Sequence, residues 1–447
     1  MISMKQNEDK RFSIEGCYKN TPIGRVPEEW EVVQLGDVTK NLIVPMRDKP
    51  KKFNGGIPWC RIEDFDGKYL FTSKSGQFVD KEIIDEMNLK IFPKGTVICS
   101  CSANLGICAI AGRDLITNQT FIGIVPNTDS LDNEFLYYLM GSYARRLNQL
   151  STGTTISYLP REEFEGLQVI KPPLPEQRKI AAILSTVDAA ITETDALIAK
   201  TEQVKRGLMQ ELFDFGIDIS GKIRRRSTNQ FKTSPLGAIP VEWDCLKIGE
   251  IYSDISSGST PSRKRPDYFT GDILWVTSGE LKYNVIHDTK EKITNEAVKN
   301  TNLKIHPPGT FFIAITGLEA EGTLGSCAII GKEATTNQSC MAFPENPRID
   351  TIYLYHYYRR YGKYLGTRYS HGTKQQSLNA EIVKGLQIKL PPKSEQHRIA
   401  TILSNVDSRL YQENQFRSHL NTLKKGLMQD LLTGRVRVNP KGVATNA

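Results

Sequence analysis

Two stretches of the chain carry apolar residues at alternating spacings of four and three. The first, EQRKIAAILSTVDAAITETDALIAKTEQVKRGLMQELF, begins at Glu176. Its seam is Ile180, Leu184, Val187, Ile191, Thr194, Ile198, Thr201, Lys205, Leu208 and Leu212. The second begins at Glu395 and places Ile399, Leu403, Val406, Leu410, Leu420, Leu427 and Leu431 on the same register. A four-three alternation marks one face of a helix, and here a coiled-coil seam with a polar middle. Each helix should run about 38 residues, or about 57 Å. So thin an apolar stripe cannot stand alone in water, and each helix is the other's obvious partner. An antiparallel pair is expected, because helix one can then lead directly into a second domain. Ahead of each helix, runs such as GTVICSCS and LGICAIAG, or GTFFIAIT and LGSCAIIG, are bounded by Gly and Pro and predict strands. Segments 131–150 and 349–366 predict amphipathic helices.

These elements occur twice. PIGRVPEEWEVVQLGDV at 22–38 answers PLGAIPVEWDCLKIGEI at 235–251, NLGICAIAG at 104–112 answers TLGSCAIIG at 323–331, and TNQT at 117–120 answers TNQS at 336–339. From Gly153 to Phe213, against Gly372 to Leu432, the copies align without a gap at an offset of 219. Between Trp30 and Gly95 little survives. The edges of each half are therefore constant and the middle is divergent. A period this long excludes a solenoid and indicates a duplicated domain with its connector. The expected organisation is an N-terminal extension (1–21), domain 1 (22–172), helix 1 (173–217), a basic linker (218–234), domain 2 (235–391), helix 2 (392–434) and a C-terminal tail (435–447).

Composition narrows the partners. The chain has 447 residues, a formal net charge of +8, a pI near 8.9 and 39% apolar content. The mild basic excess is compatible with a polyanion without requiring one. The eight cysteines include no C-x-x-C pair. Cys99 and Cys101 lie in an apolar run and should be small buried strand residues. The N-terminus does not read as a signal peptide and no apolar run is long enough to span a bilayer, so a cytoplasmic, reduced chain is expected. Trp30, Trp59, Trp243 and Trp275 recur in pairs inside apolar strings and should be core. The six histidines are scattered without metal spacing. There is no G-x-x-x-x-G-K-[ST] loop, and no Asn-Pro-Pro-Phe or Asp-Pro-Pro-Tyr string. One catalytic pattern does occur: Asp267, Glu280 and Lys282 fit the loose spacing of a Mg²⁺-dependent nuclease. In the first copy Asp64 and Asp66 stand where Glu280 and Lys282 stand in the second. Lys222, Arg224, Arg225 and Arg226 in the linker read equally as phosphate contacts or as a solvated charge run.

The order domain, long helix, domain, long helix, with PPLPEQRKIAAILSTVD at 172–188, PPKSEQHRIATILSNVD at 391–407 and SGSTPSRKRPDYFTGDILWVTSGEL at 257–281, resembles the specificity subunits of type I restriction-modification systems. The resemblance runs from about Pro22 to about Leu432. It implies an α+β fold with two duplicated target-recognition domains, joined by two long antiparallel helices that form a coiled-coil spacer. It implies a chain without catalysis of its own that reads an asymmetric bipartite site on double-stranded DNA. Two copies of a methyltransferase subunit would dock on it, and a motor-nuclease subunit would join through them. S-adenosylmethionine, ATP and Mg²⁺ would belong to those partners, with no cofactor, metal or membrane contact here. The alternatives are a stand-alone nuclease using Asp267, Glu280 and Lys282, or a duplicated-module scaffold.

Base reading needs donors and acceptors on loops, with cations for phosphates. In domain 2 the candidates are Ser259, Thr260, Ser262, Arg263, Lys264 and Arg265, then Thr277, Ser278 and Glu280, then Lys374, Gln375 and Gln376. In domain 1 they are Arg47, Lys49, Lys51, Lys52, Arg61 and Glu63, then Thr154, Thr155, Ser157 and Tyr158. Domain 1 lacks the serine-glycine-threonine-proline loop of domain 2.

Overall fold

The computed structural model describes residues 17–45, 49–102, 105–144, 147, 159–227, 229–317, 323–369 and 377–438. The chain packs as two compact units, Met1–Asp195 with Gln415–Ala447, and Ala196–Asn414. Each unit holds one domain, the N-terminal part of the helix that follows it and the C-terminal part of the other helix. The helices span Leu174–Asp214 and Lys393–Leu431.

Both domains are built on one frame. In unit 1 a five-stranded sheet runs in the order Thr39–Ile43, Phe121–Pro126, Val97–Ser100, Cys108–Ala111, Tyr69–Leu70. In unit 2 the order is Ser256–Ser257, Cys340–Phe343, Phe311–Ala314, Cys327–Ile330, Asn284–Ile286. In each sheet the last strand is parallel to its neighbour and the other pairings are antiparallel. A three-stranded sheet stands beside it, centred on Ile57–Cys60 or on Ile273–Val276. The expected strands and helices are present, the latter as Asn133–Ser142 and Thr351–Tyr369. All four tryptophans are core, at most 2% exposed.

The antiparallel helix pairing is visible inside each unit. In unit 1 Asp188 meets Lys424 at 2.6 Å and Asp195 meets Arg417 at 3.1 Å. In unit 2 Lys205 pairs with Asp407, and Arg398 donates to the Asp218 carbonyl at 2.8 Å. One helix's numbers rise as the other's fall. Lys205, a polar member of the seam, is buried. Burial pulls its ammonium below the ordinary lysine value, against the hydrogen bond to Asp407. Burial also opposes ionisation of Asp407. The hydrogen bond from Lys205 and the charge of Arg359, 2.5 Å away, outweigh it and hold the carboxyl below its usual range.

The repeated P-P-x-x-E-Q and E-W segments turn out to be two halves of one clasp. In unit 2 the Glu395 carboxylate accepts from the Arg224 guanidinium at 2.6 and 3.1 Å, from Trp243 Nε1 at 3.1 Å and from the Ile217 amide at 2.8 Å. In unit 1 Glu176 accepts from Arg437 at 2.8 and 2.9 Å and from Trp30 Nε1 at 3.0 Å. The neighbouring glutamines close the helix start. Gln177 accepts from the Asp132 amide and donates to the Ser130 and Pro172 carbonyls. Gln396 does the same with Asp350, Arg348 and Pro391. Arg224 is thus neither a phosphate contact nor a solvated charge, because its side chain is 7% exposed and spent on Glu395. Gly216 sits beside this clasp with φ near +65°, and a Cβ there would lie 2.2 Å from a Glu395 oxygen. Only glycine satisfies both constraints.

Candidate nucleic-acid interface

In unit 2 the strand Ile273–Val276 lies antiparallel to Lys292–Ile293 and parallel to Ala334–Thr336, with Val276 opposite Thr336. The two parallel strands therefore end at one edge. The loop that follows Ser257 crosses that edge. Gly258 and Ser259 donate their amides to the Asn337 and Thr336 carbonyls at 3.2 and 3.1 Å, and Trp275 Nε1 donates to the Ser259 carbonyl at 3.2 Å. Asn337 closes the seam by donating to the Val276 carbonyl at 3.0 Å. Thr260, Thr277 and Ser278 are so gathered from segments distant in sequence.

The close approach depends on Gly258, where a Cβ would fall 1.6 Å from the Thr336 carbonyl oxygen. Gly258→Ala is expected to displace the 258–265 loop and cost roughly 1–3 kcal/mol, as overpacking does. Thermal unfolding checks the cost, and hydrogen exchange confined to residues 256–265 checks the site. An unchanged melting temperature and exchange pattern would show that the loop does not need this contact.

The three cations of this loop are not equivalent. Arg263 grips Glu291 with two nitrogens, at 2.5 and 2.8 Å, and lies over Phe269 and Trp275 at 4.3 and 5.3 Å. Arg265 pairs with Asp267 and Glu296 and lies over Tyr268 at 4.4 Å. These two brace the loop through charge and cation–π contact. Lys264 between them is exposed and makes no ion pair among the described residues, and Ser262 is exposed as well. Thr277 donates its amide and hydroxyl to Glu280 at 2.8 and 2.9 Å, capping the short turn that follows.

In unit 1 the corresponding edge joins Ile57–Cys60 to Ile116–Thr117, again parallel. Arg61 leaves the strand with its amide on Asp64 at 2.7 Å and its guanidinium on Glu63 at 2.7 Å. Lys49 lies over Phe53 at 5.6 Å. Lys51 and Lys52 are exposed and, among the described residues, without an ion pair. Arg47, Thr154, Thr155, Ser157, Tyr158, Lys374, Gln375 and Gln376 lie outside the described residues.

The nuclease pattern resolves into structural pairs. Asp267 is held by Arg265 at 2.6 Å. Glu280 is filled by Thr277 and by the Lys290 amide at 2.8 Å. Asp64 caps the equivalent turn in unit 1, taking the Arg61 and Lys74 amides. The carboxylate that differs between copies thus keeps one structural job. Among the described residues no three His, Cys, Asp or Glu side chains gather as a metal set. Burial pushes the thiols of Cys60, Cys327 and Cys340 up to about 12, which keeps them protonated. Cys99 is a buried strand residue, Cys101 is buried just beyond the strand's end, and all eight cysteines are free. Among the described residues no helix is long and apolar enough to cross a membrane.

Sequence reasoning missed the clasp arginines. The paired E-Q and E-W motifs were visible, but nothing in one dimension joins Glu395 to Arg224 or Glu176 to Arg437.

The fold and the site define a duplicated α+β protein with an equivalent parallel sheet edge in each unit and two long antiparallel helices. A family model described as type I restriction modification DNA specificity domain matches residues 27–203 and 240–421, and the chain belongs to that family. Over 452 residues it is 26% identical to a putative type I restriction enzyme MjaX specificity subunit of Methanocaldococcus jannaschii, covering 96% of this chain and 98% of that one. It is 20% identical to the EcoDI specificity subunit of Escherichia coli, covering 92% and 90%. Among solved structures, the type I restriction-modification S subunit from M. genitalium has the same fold. The TM-score is 0.57 at 16% identity, over 90% of this chain and 96% of that one.

Proposed function

We propose that this chain reads an asymmetric, bipartite double-stranded DNA site, one half by each domain, and does no covalent chemistry itself. The observation that carries the reading is two identical frames bearing unlike loops. Alike frames present their edges in the same way, while loops such as 257–265, absent from domain 1, make the half-sites differ. The paired helices set the separation of the half-sites, which fixes their helical phase on the duplex. Because each unit pairs the start of one helix with the end of the other, the spacer offers two equivalent surfaces for two copies of a methyltransferase subunit. That subunit supplies S-adenosylmethionine. A motor-nuclease subunit, with ATP and Mg²⁺, joins through it. The site of action is the cytoplasm. Lys264, Ser262, Lys51 and Lys52 are the described candidates left presented for DNA.

The test is the adenine-methylation pattern after co-expression with the neighbouring methyltransferase subunit in a methylation-free host. A motif with two unlike halves and a fixed unspecified gap is expected. Exchanging 235–391 for the corresponding segment of another family member should replace one half and leave the other. A palindromic motif, or replacement of both halves, would contradict one reader per half-site.

A further inference from the structure

Beyond their buried first threonines, Thr117 and Thr336, the repeated TNQT and TNQS segments have no part in the clasp or the spacer. Each makes a tight turn immediately after the parallel strand of its unit. In unit 1 the Phe121 amide returns to the Asn118 carbonyl at 3.4 Å, and in unit 2 the Cys340 amide returns to Asn337 at 3.3 Å. The turns are braced alike from the neighbouring strand, by the Cys101 amide on Thr120 and the Ile315 amide on Ser339, both at 2.9 Å. The asparagines work inside the turn, Asn118 Oδ1 accepting from Thr120 at 2.7 Å and Asn337 Oδ1 from the Ser339 amide at 3.0 Å.

The glutamine at each tip does none of this. Gln119 and Gln338 are both exposed. Among the described residues the Gln119 side chain makes no hydrogen bond, and that of Gln338 makes one, accepting from Thr260 Oγ1 at 2.5 Å. That bond uses the amide oxygen and leaves both Nε2 protons without a partner among the described residues. An exposed turn tip has no packing reason to be glutamine, and polar residues of many kinds serve there. Yet the same residue stands at the same tip in both domains.

Resting on the reading of each domain as a half-site reader, we infer that Gln119 and Gln338 are paired contacts to the DNA sugar-phosphate backbone. A side chain common to two readers of unlike sequence cannot carry the difference between them. It must touch what both half-sites share, and that is phosphate. Amide donors to phosphate oxygens fix the register of a reader on the duplex without reporting a base. Being neutral, the glutamine displaces no counterion, so its contact adds affinity without adding salt dependence. Thr260 acts behind Gln338 as a positioning residue, turning the amide so that Nε2 faces outward.

The experiment measures the binding of cognate duplex by the complex of full chain and methyltransferase subunit, across a salt series, together with the methylated motif. Gln119→Ala and Gln338→Ala should each weaken binding about 10- to 100-fold, the range for one hydrogen bond to a charged acceptor. The motif, the log–log salt slope and the melting temperature should stay as in the parent. Gln338→Lys should restore binding and steepen the slope by about 0.9. Relaxation of one base position in Gln338→Ala would make it a base reader and overturn the inference. Unchanged affinity in both alanine variants, or an unchanged slope in Gln338→Lys, would show that the tips face solvent. If the parent complex binds no defined motif, the half-site reading falls first and this inference with it. A parent that reads two halves while the variants are silent removes this inference alone.

Discussion

An Arg224→Ala chain is expected to lose about 3–5 kcal/mol of unit 2 stability, the range for removing one partner of a buried ion pair. The reason is what remains. Glu395 is 1% exposed and accepts four hydrogen bonds, two of them from Arg224. Without the guanidinium, its charge stays buried with only the Trp243 indole and the Ile217 amide to answer it. Arg437→Ala in unit 1 should cost less. That arginine is 25% exposed, so water can replace part of it, although Glu176 at 3% is as deep as Glu395. Denaturant unfolding followed by peptide-resolved hydrogen exchange separates the two units. Neutralising the stranded charge in Arg224→Ala with Glu395→Gln should recover part of the loss. If Arg224→Ala unfolds with the parental midpoint, the clasp contributes packing alone.

Acidification should destabilise unit 2 before unit 1. His306 and His356 are 2% and 1% exposed, and each leaves its Nδ1 without a hydrogen-bond partner among the described residues. Burial, with the charge of Lys304, pulls His306 down to about 4. Burial also pulls His356 down to about 4. Asp407 and Asp350 oppose that shift, while Arg359 and Lys205 add to it. The folded protein therefore holds both rings neutral, while the unfolded chain protonates them near their ordinary value of 6.5. The stability is present above about pH 6.5 and is lost as pH falls towards 4, by about 3 kcal/mol per ring. Asp407, held below its ordinary value, loses its contribution at still lower pH, in the same direction. The described residues of unit 1 include no buried histidine. Hydrogen exchange at pH 7, 5.5 and 4 should show unit 2 opening first, and His356→Leu should flatten its response. Equal loss in both units would remove the histidines as the cause.

Periodicity and self-comparison carried most of the architecture. The seam from Ile180 to Leu212 is buried or half-buried along its whole length, Lys205 included. A four-three spacing admits hardly any other structure over that length. The duplicated strands were legible because Gly and Pro bound short apolar runs, and burial on both faces leaves such runs continuous. The candidate interface was legible only as composition. Ser262, Arg263, Lys264 and Arg265 are four adjacent polar residues in the chain. In space two of them stack on aromatic rings and pair with carboxylates 28 and 31 residues on, while Lys264 is left presented. Nothing local separates them, because a cation's availability is decided by what reaches it.

The sequence by itself determined that there are two copies of one domain, that each is followed by a long helix with a coiled-coil seam, and which family the chain resembles. Those properties are local or periodic, and periodicity is written along the chain. Tertiary structure alone decided that Glu395 closes on Arg224 and Glu176 on Arg437, 171 and 261 residues away. It also decided that Glu280 and Asp64 are caps rather than a metal site. Those assignments depend on which buried charge finds which donor. A low-dielectric interior imposes that choice on the folded chain, and no spacing rule encodes it.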